Sequence, residues 1–149
     1  MTLTDAHGVV WDGKLKRLWA VGRDELVRCT YNGNKAEPKL EIEAHFKLPG
    51  YGGGHDLFSV PGSRKLFVTG EKVWVFNTET EMFSDFDQSN SIKSVSQRAA
   101  NGPVIFMQAT QSWWSDSIIF SGNSSKKTLK DAQFYKARWW VPNAFSTVE

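Results

Sequence analysis

The chain has little cysteine, little excess charge and no long apolar run, and each shortage excludes a class of protein. Cys29 is the single cysteine among 149 residues, which excludes a disulfide framework and a cysteine-based metal site. The formal net charge is only +2, so composition gives no electrostatic case for nucleic acid or an anionic membrane as partner. No stretch approaches about 18 apolar residues, and the start MTLTDAHG lacks the pattern of a signal peptide. We therefore expect a soluble protein, and the sequence leaves its compartment open.

Motifs of catalysis and cofactor binding are also missing. The sequence has no HxH or HExxH spacing for a metal, and Ser94 and Ser96 lack the GxSxG context of a nucleophile elbow. The glycines at 52–54 precede His55 without a GK[ST] ending and lead into a predicted strand, which does not indicate a phosphate-binding loop. We predict no metal and no cofactor, and no motif selects a reaction.

Three stretches of the chain begin alike. They are AHGVVWD (residues 6–12), GHDLFSV (54–60) and SIKSVSQ (91–97), and each places an ionisable residue at the head of a short β-patterned run. The three head residues are His7, His55 and Lys93. A repeat of roughly 40–50 residues with several strands per unit is typical of propeller blades. If each run is the innermost strand of a blade, the three head side chains converge near one axis.

Two further β runs follow each head run. The second runs cover residues 17–22, 65–70 and 104–110, and the third cover 25–32, 72–80 and 117–122. Their alternation has a period of two, and β-branched and aromatic residues dominate. Gly22 and Gly70 end second runs at matching positions, where we expect the positive φ of a tight hairpin.

The fourth strands are less alike. We place them near residues 40–48, 81–86 and 133–140, with the Ser/Lys-rich residues 123–131 as an exposed loop. The sequence therefore predicts an all-β, β-propeller-like chain, a single domain over residues 1–149. Its four-stranded blades lie approximately at 6–49, 54–87 and 91–140.

Three blades are too few to form a closed ring. Closed propellers have roughly four to eight blades, and an open arc leaves two large blade faces uncovered. Two copies of the chain would supply about six blades. We therefore expect a homodimer or a partner that provides a missing half-propeller.

The repeat residues also carry a resemblance. The pattern HGVVWD … GHDL … IKSVS … WW … YKARWW, from about His7 to about Trp140, resembles the C-terminal half of an uncharacterised family of predicted β-propeller proteins. The resemblance implies the propeller fold, and it implies no reaction.

The head residues are the first candidates for a site. His7 and His55 suit general acid–base catalysis or metal ligation, and the adjacent Asp56 suits orientation of an imidazole. Lys93 beside them would make the channel cationic and suited to a carboxylate, phosphate or sulfate group. The alternative is that these residues only form hydrogen bonds between blades around a wet channel, and the metal interpretation is the weaker one.

Lys136 and Arg138 are the second candidates. They are two residues apart, so on a strand they share one face and would suit an acidic sugar or a carboxylated metabolite. On an outer strand a solvated face is the favoured interpretation, whereas an inner strand would favour binding. Trp113 and Trp114 would place one indole on each face of an extended segment, as a sugar platform or as packing between blades.

Three functions are compatible with these residues. The favoured one is a binding module for a small polar or anionic ligand, for example a saccharide, at the central channel. The second is a lyase or hydrolase that acts on an acidic sugar, with His7 or His55 as base and Lys93 or Arg138 facing the oxyanion. The third is a scaffold that recruits another protein. The sequence leaves open whether the chain catalyses a reaction at all.

Overall fold

A computed structural model describes residues 2–87, 89–121, 125–141, 143 and 145 of the chain. Within these residues it contains twelve strands and no helix. In chain order the strands are β1 (Gly8–Asp12), β2 (Arg17–Val21), β3 (Glu25–Tyr31), β4 (Leu40–Lys47), β5 (Asp56–Ser59), β6 (Lys65–Thr69), β7 (Val73–Asn77), β8 (Met82–Asp87), β9 (Ile92–Gln97), β10 (Val104–Gln108), β11 (Ser117–Phe120) and β12 (Ser125–Thr128). Absence of a helix means that the described part of the chain has no helix able to cross a membrane.

The strands form three four-stranded antiparallel meanders. Their orders are β1-β2-β3-β4, β5-β6-β7-β8 and β9-β10-β11-β12, so each sheet consists of strands consecutive in the chain. The prediction of an all-β chain with three four-stranded units is confirmed. The three sheets are consistent with a β-propeller-like fold but do not close into a ring. Dimerisation stays a prediction.

Each gap between neighbouring sheets is filled by its own apolar core. Trp19 and Leu26 of the first sheet pack with Leu57 and Phe76 of the second, and all four are fully buried. Phe67 of the second sheet packs with residues of the third, such as Val95. Successive side chains of a pleated strand point to opposite faces of its sheet. Each face of a sheet can therefore pack against the sheet on that side.

The innermost strands of the first two sheets lie very close together. A Cβ added to Gly8 would stand 2.7 Å from the Leu57 backbone nitrogen, so only glycine fits there. Close backbone approach also explains why residues 22 and 70 are glycines. The prediction that Gly22 and Gly70 have positive φ is wrong. A Cβ would stand 2.6 Å from the Thr4 carbonyl oxygen at Gly22 and 2.8 Å from the Gly52 oxygen at Gly70.

The outer strand of the third sheet is not where the sequence analysis placed it. It is β12, which lies in the segment predicted to be a loop, and the four residues of this strand are exposed. An edge strand can form through backbone hydrogen bonds alone, without the apolar residues that reveal other strands. Residues 133–140, predicted as the outer strand, are not part of any sheet.

These residues lie along the innermost strand of the third sheet instead. The Ser94 hydroxyl accepts a hydrogen bond from the Ala137 backbone nitrogen at 2.9 Å, and the Ser96 hydroxyl accepts one from the Trp139 nitrogen at 2.8 Å. Further on, the side chain of Phe145 is buried in the core between the first two sheets. The C-terminal segment therefore crosses from the third sheet to the first.

Candidate functional site

The head residues His7 and His55 occupy equivalent backbone positions. His7 donates its backbone N–H to the Val21 carbonyl at 3.0 Å, and His55 donates its own to the Thr69 carbonyl at 2.9 Å. Each acceptor immediately precedes a glycine of the repeat, Gly22 or Gly70. The two imidazole ring centres lie 5.1 Å apart. The sequence repeat therefore corresponds to a repeat in space that brings the two rings together.

Lys93 reaches the same place by a backbone irregularity. Met107 pairs with Ser94 and Gln108 pairs with Ile92, so Lys93 is the extra residue of a β-bulge. A bulge changes the direction in which a side chain leaves the strand. The Lys93 Nζ lies 2.7 Å from His55 Nε2, which makes the imidazole Nε2 the acceptor and leaves the ring proton on Nδ1.

The cations of the C-terminal segment converge on Asp56. The carboxylate of this residue is fully buried, and Arg138 donates a hydrogen bond to its Oδ1. Lys136 Nζ lies 3.0 Å from the same oxygen and also donates to the backbone oxygens of His55, at 2.7 Å, and His7, at 3.0 Å. We call His7, His55, Asp56, Lys93, Lys136 and Arg138 the head cluster.

Charge and burial set the protonation of the cluster. Burial, followed by the charges of Lys93, His7 and Lys136, lowers the pKa of His55 to about 4, so this ring is neutral at pH 7. Burial also lowers the pKa of Lys93. Burial raises the pKa of Asp56, and Arg138, Lys136 and the Val95 backbone N–H oppose that rise.

The pKa of His55 makes the stability of the fold depend on pH in a defined direction. Because the pKa is about 4 in the folded chain and about 6.5 when unfolded, the unfolded chain takes up the proton first as pH falls. The free energy of unfolding therefore falls between about pH 6.5 and pH 4, and His55 adds no slope above that window. Urea unfolding at a series of pH values should show that the free energy of unfolding depends less steeply on pH in this window for His55→Gln than for the unmodified chain. Equal dependence in the two chains would contradict the lowered pKa of His55.

The two predicted tryptophans differ in their surroundings. Trp113 is 51% exposed, and its ring lies 5.7 Å from that of Tyr135 in an edge-to-face arrangement. Trp114 is partly buried, and its described hydrogen bonds are backbone bonds to Gln111 and Thr110. The ring of Trp113 thus contacts the ring of Tyr135, the residue that precedes Lys136.

A sequence signal links Lys136 to the head residues. Lys136 precedes Val141 and Pro142 at the same spacing at which His55 precedes Val60 and Pro61. The segment that carries Lys136 is not part of the three sheets, but the Lys136 Nζ contacts the backbone oxygens of His7 and His55. The shared Val-Pro pair could have indicated from the sequence that Lys136 reaches the head residues.

The described residues form an all-β, propeller-like chain of three repeated sheets, in which cations of the C-terminal segment contact one buried carboxylate beside the strand heads. The chain belongs to a family of unknown function (DUF6528), whose model matches residues 1–149. Among curated proteins there is no significant match.

Two solved chains are similar in fold. One of them is the extracellular domain of a hybrid two-component system from B. thetaiotaomicron, with a TM-score of 0.52 and 10% sequence identity. The similarity covers 87% of this chain and 19% of that chain, so this chain spans about a fifth of its neighbour. At this identity the likeness concerns the fold alone.

Proposed function

We propose that this chain is a binding module whose head cluster holds the anionic group of a small polar ligand. The observation that carries the proposal is the imbalance of charge around Asp56. Lys136 and Arg138 both contact this single buried carboxylate, and Lys93 lies at the adjoining His55 ring. Two basic side chains thus contact one acid and a third lies at the neighbouring imidazole, and an anion would offset this excess of positive charge.

The cations retain capacity for a ligand. The side chain of Arg138 is 38% exposed, and its guanidinium has more N–H donors than its contacts with Asp56 and the Leu57 oxygen use. Lys93 carries three ammonium protons, of which its His55 contact uses one. Charge-assisted hydrogen bonds from such donors are the strong ones, and they favour carboxylate, sulfate or phosphate.

The test measures, by NMR titration, how tightly Lys93→Met and the unmodified chain bind acetate and sulfate. Loss of a charge-assisted hydrogen bond should weaken binding of either anion about tenfold or more. Lys127→Met is the matched control, because Lys127 is exposed on the edge strand β12 and its replacement should leave affinity unchanged. An unchanged amide spectrum shows that each variant is folded. Undiminished binding by Lys93→Met and by a His7→Ala/His55→Ala double variant would contradict the proposal.

The catalytic alternative has less support at His55. A base that abstracts a proton works best with a pKa near the operating pH. The pKa of His55 is about 4, so its imidazole is a weak base at neutral pH. The same neutral ring is a suitable hydrogen-bond partner for Lys93, which favours a role in positioning that lysine for a ligand.

A further inference from the structure

We propose that Trp113 and Tyr135 form a second part of the same site, which takes a sugar ring, and that the ligand is therefore a sugar acid such as a uronate. This inference rests on the proposed function and specifies its ligand. The head cluster would hold the carboxylate, and the aromatic pair would contact the C–H face of the pyranose ring.

Trp113 and Tyr135 meet because the backbone fixes both. Gln111 and Trp114 pair with each other around a tight turn in which Ser112 has φ of 57°. Directly after this turn, Ser115 and Phe134 exchange two backbone hydrogen bonds, of 3.1 and 2.8 Å. This bridge joins the turn that carries Trp113 to the segment that carries Tyr135.

The bridge is itself well supported. Ser115 is buried, and its hydroxyl accepts hydrogen bonds from the Thr110 hydroxyl and the Ser117 backbone nitrogen, both at 3.2 Å. A site that is held in place in advance loses less entropy when a ligand binds. The backbone that carries the aromatic pair is therefore held in place before a ligand binds.

The aromatic pair adjoins the head cluster at Lys136. The Lys136 Nζ lies 5.7 Å from the centre of the Tyr135 ring, within the range of a cation–π contact. The same nitrogen donates to Asp56 and to the His7 and His55 backbone oxygens, which uses its three protons. Lys136 therefore joins the aromatic pair to the cluster, and Lys93 and Arg138 would supply the donors for the carboxylate. Burial raises the pKa of Tyr135, and the Asp56 charge adds to that rise, which agrees with their proximity.

This juxtaposition matches the chemistry of a sugar acid. In a uronate the carboxylate is attached directly to the pyranose ring, so a cation and an aromatic surface must lie side by side to bind both. Trp113 is 51% exposed, which leaves indole surface for stacking. A simple carboxylate would use only the cations, and a neutral sugar would use only the aromatic surface.

The experiment compares three probes by NMR titration: D-glucuronate, acetate and D-glucose. We expect glucuronate to bind more tightly than either of the others. Trp113→Ala should weaken glucuronate binding roughly three- to tenfold, the size of an aromatic contact, and leave acetate binding unchanged. Tyr135→Phe should retain glucuronate binding, because the ring is kept.

The matched control is Trp140→Ala. Trp140 is in the same C-terminal segment and is fully exposed, so its loss should leave the affinity for glucuronate unchanged. If acetate binds and glucuronate binds no more tightly, this inference is wrong and the proposed function stands. If no anion binds, both are wrong. An equal loss of glucuronate affinity in Trp140→Ala would also overturn the role of Trp113.

Discussion

Replacing Asp56 by asparagine is expected to lower the free energy of unfolding by about 3–5 kcal/mol, the cost of removing one partner from a buried ion pair. The carboxylate is fully buried, and it is the shared acceptor for Lys136 and Arg138. Asparagine keeps the shape but not the charge, so two cations lose their counterion. Urea unfolding at pH 7 measures the effect.

The same substitution should strengthen anion binding. Without the Asp56 charge, Lys136 and Arg138 are free to interact with an added anion, so Asp56→Asn should bind acetate more tightly than the unmodified chain. Added acetate should also recover part of the lost stability, since a ligand that binds only the folded state stabilises it. A variant as stable as the unmodified chain, or one that binds acetate more weakly, would show that this carboxylate does not balance the cluster.

Asp12→Asn is the matched control for both effects. Asp12 is also fully buried and is ion-paired with Arg64, and it accepts a hydrogen bond from the Leu15 nitrogen at 3.1 Å. It belongs to β1 at the end opposite to the head residue. We expect a comparable loss of stability with no change in acetate affinity. The comparison separates general disruption from an effect on the site.

Replacing Phe145 by alanine is expected to cost about 3–5 kcal/mol, as for other large-to-small changes in a core. The ring is 2% exposed in the core between the first two sheets, with the Arg64 guanidinium 4.5 Å from its centre. The Phe145 carbonyl also accepts a hydrogen bond from the Gly13 nitrogen at 2.8 Å. Urea unfolding measures the loss of this anchor for the C-terminal segment.

The loss of the anchor should also weaken acetate binding, because the segment that ends at Phe145 carries Lys136 and Arg138. Trp140→Ala removes a larger aromatic ring from the same segment, but that ring is fully exposed. It should change stability by no more than about 0.5 kcal/mol. If the two variants are equally stable, Phe145 does not anchor the segment.

Strand-forming segments with apolar alternation were predictable from sequence, as at Trp19 and Trp74, because their side chains must face a core. The edge strand β12 was not, since its four residues SKKT are polar and exposed and show no apolar alternation. The role of Gly22 and Gly70 was also misread. Their backbone neighbours, Thr4 and Gly52, come from other parts of the chain, and sequence spacing does not show such contacts.

The three-unit repeat and the ionisable residue that heads each unit were predictable from the sequence, because strand period and turn residues are local properties. Which charges meet depends on contacts between distant parts of the chain. Lys136 and Arg138 are 80 and 82 residues from Asp56 along the chain, and the crossing of the C-terminal segment brings them to its carboxylate. The bulge at Lys93 and the bridge between Ser115 and Phe134 depend in the same way on strand register. Such contacts form between distant segments, so the head cluster and its aromatic neighbours belong to the fold as a whole.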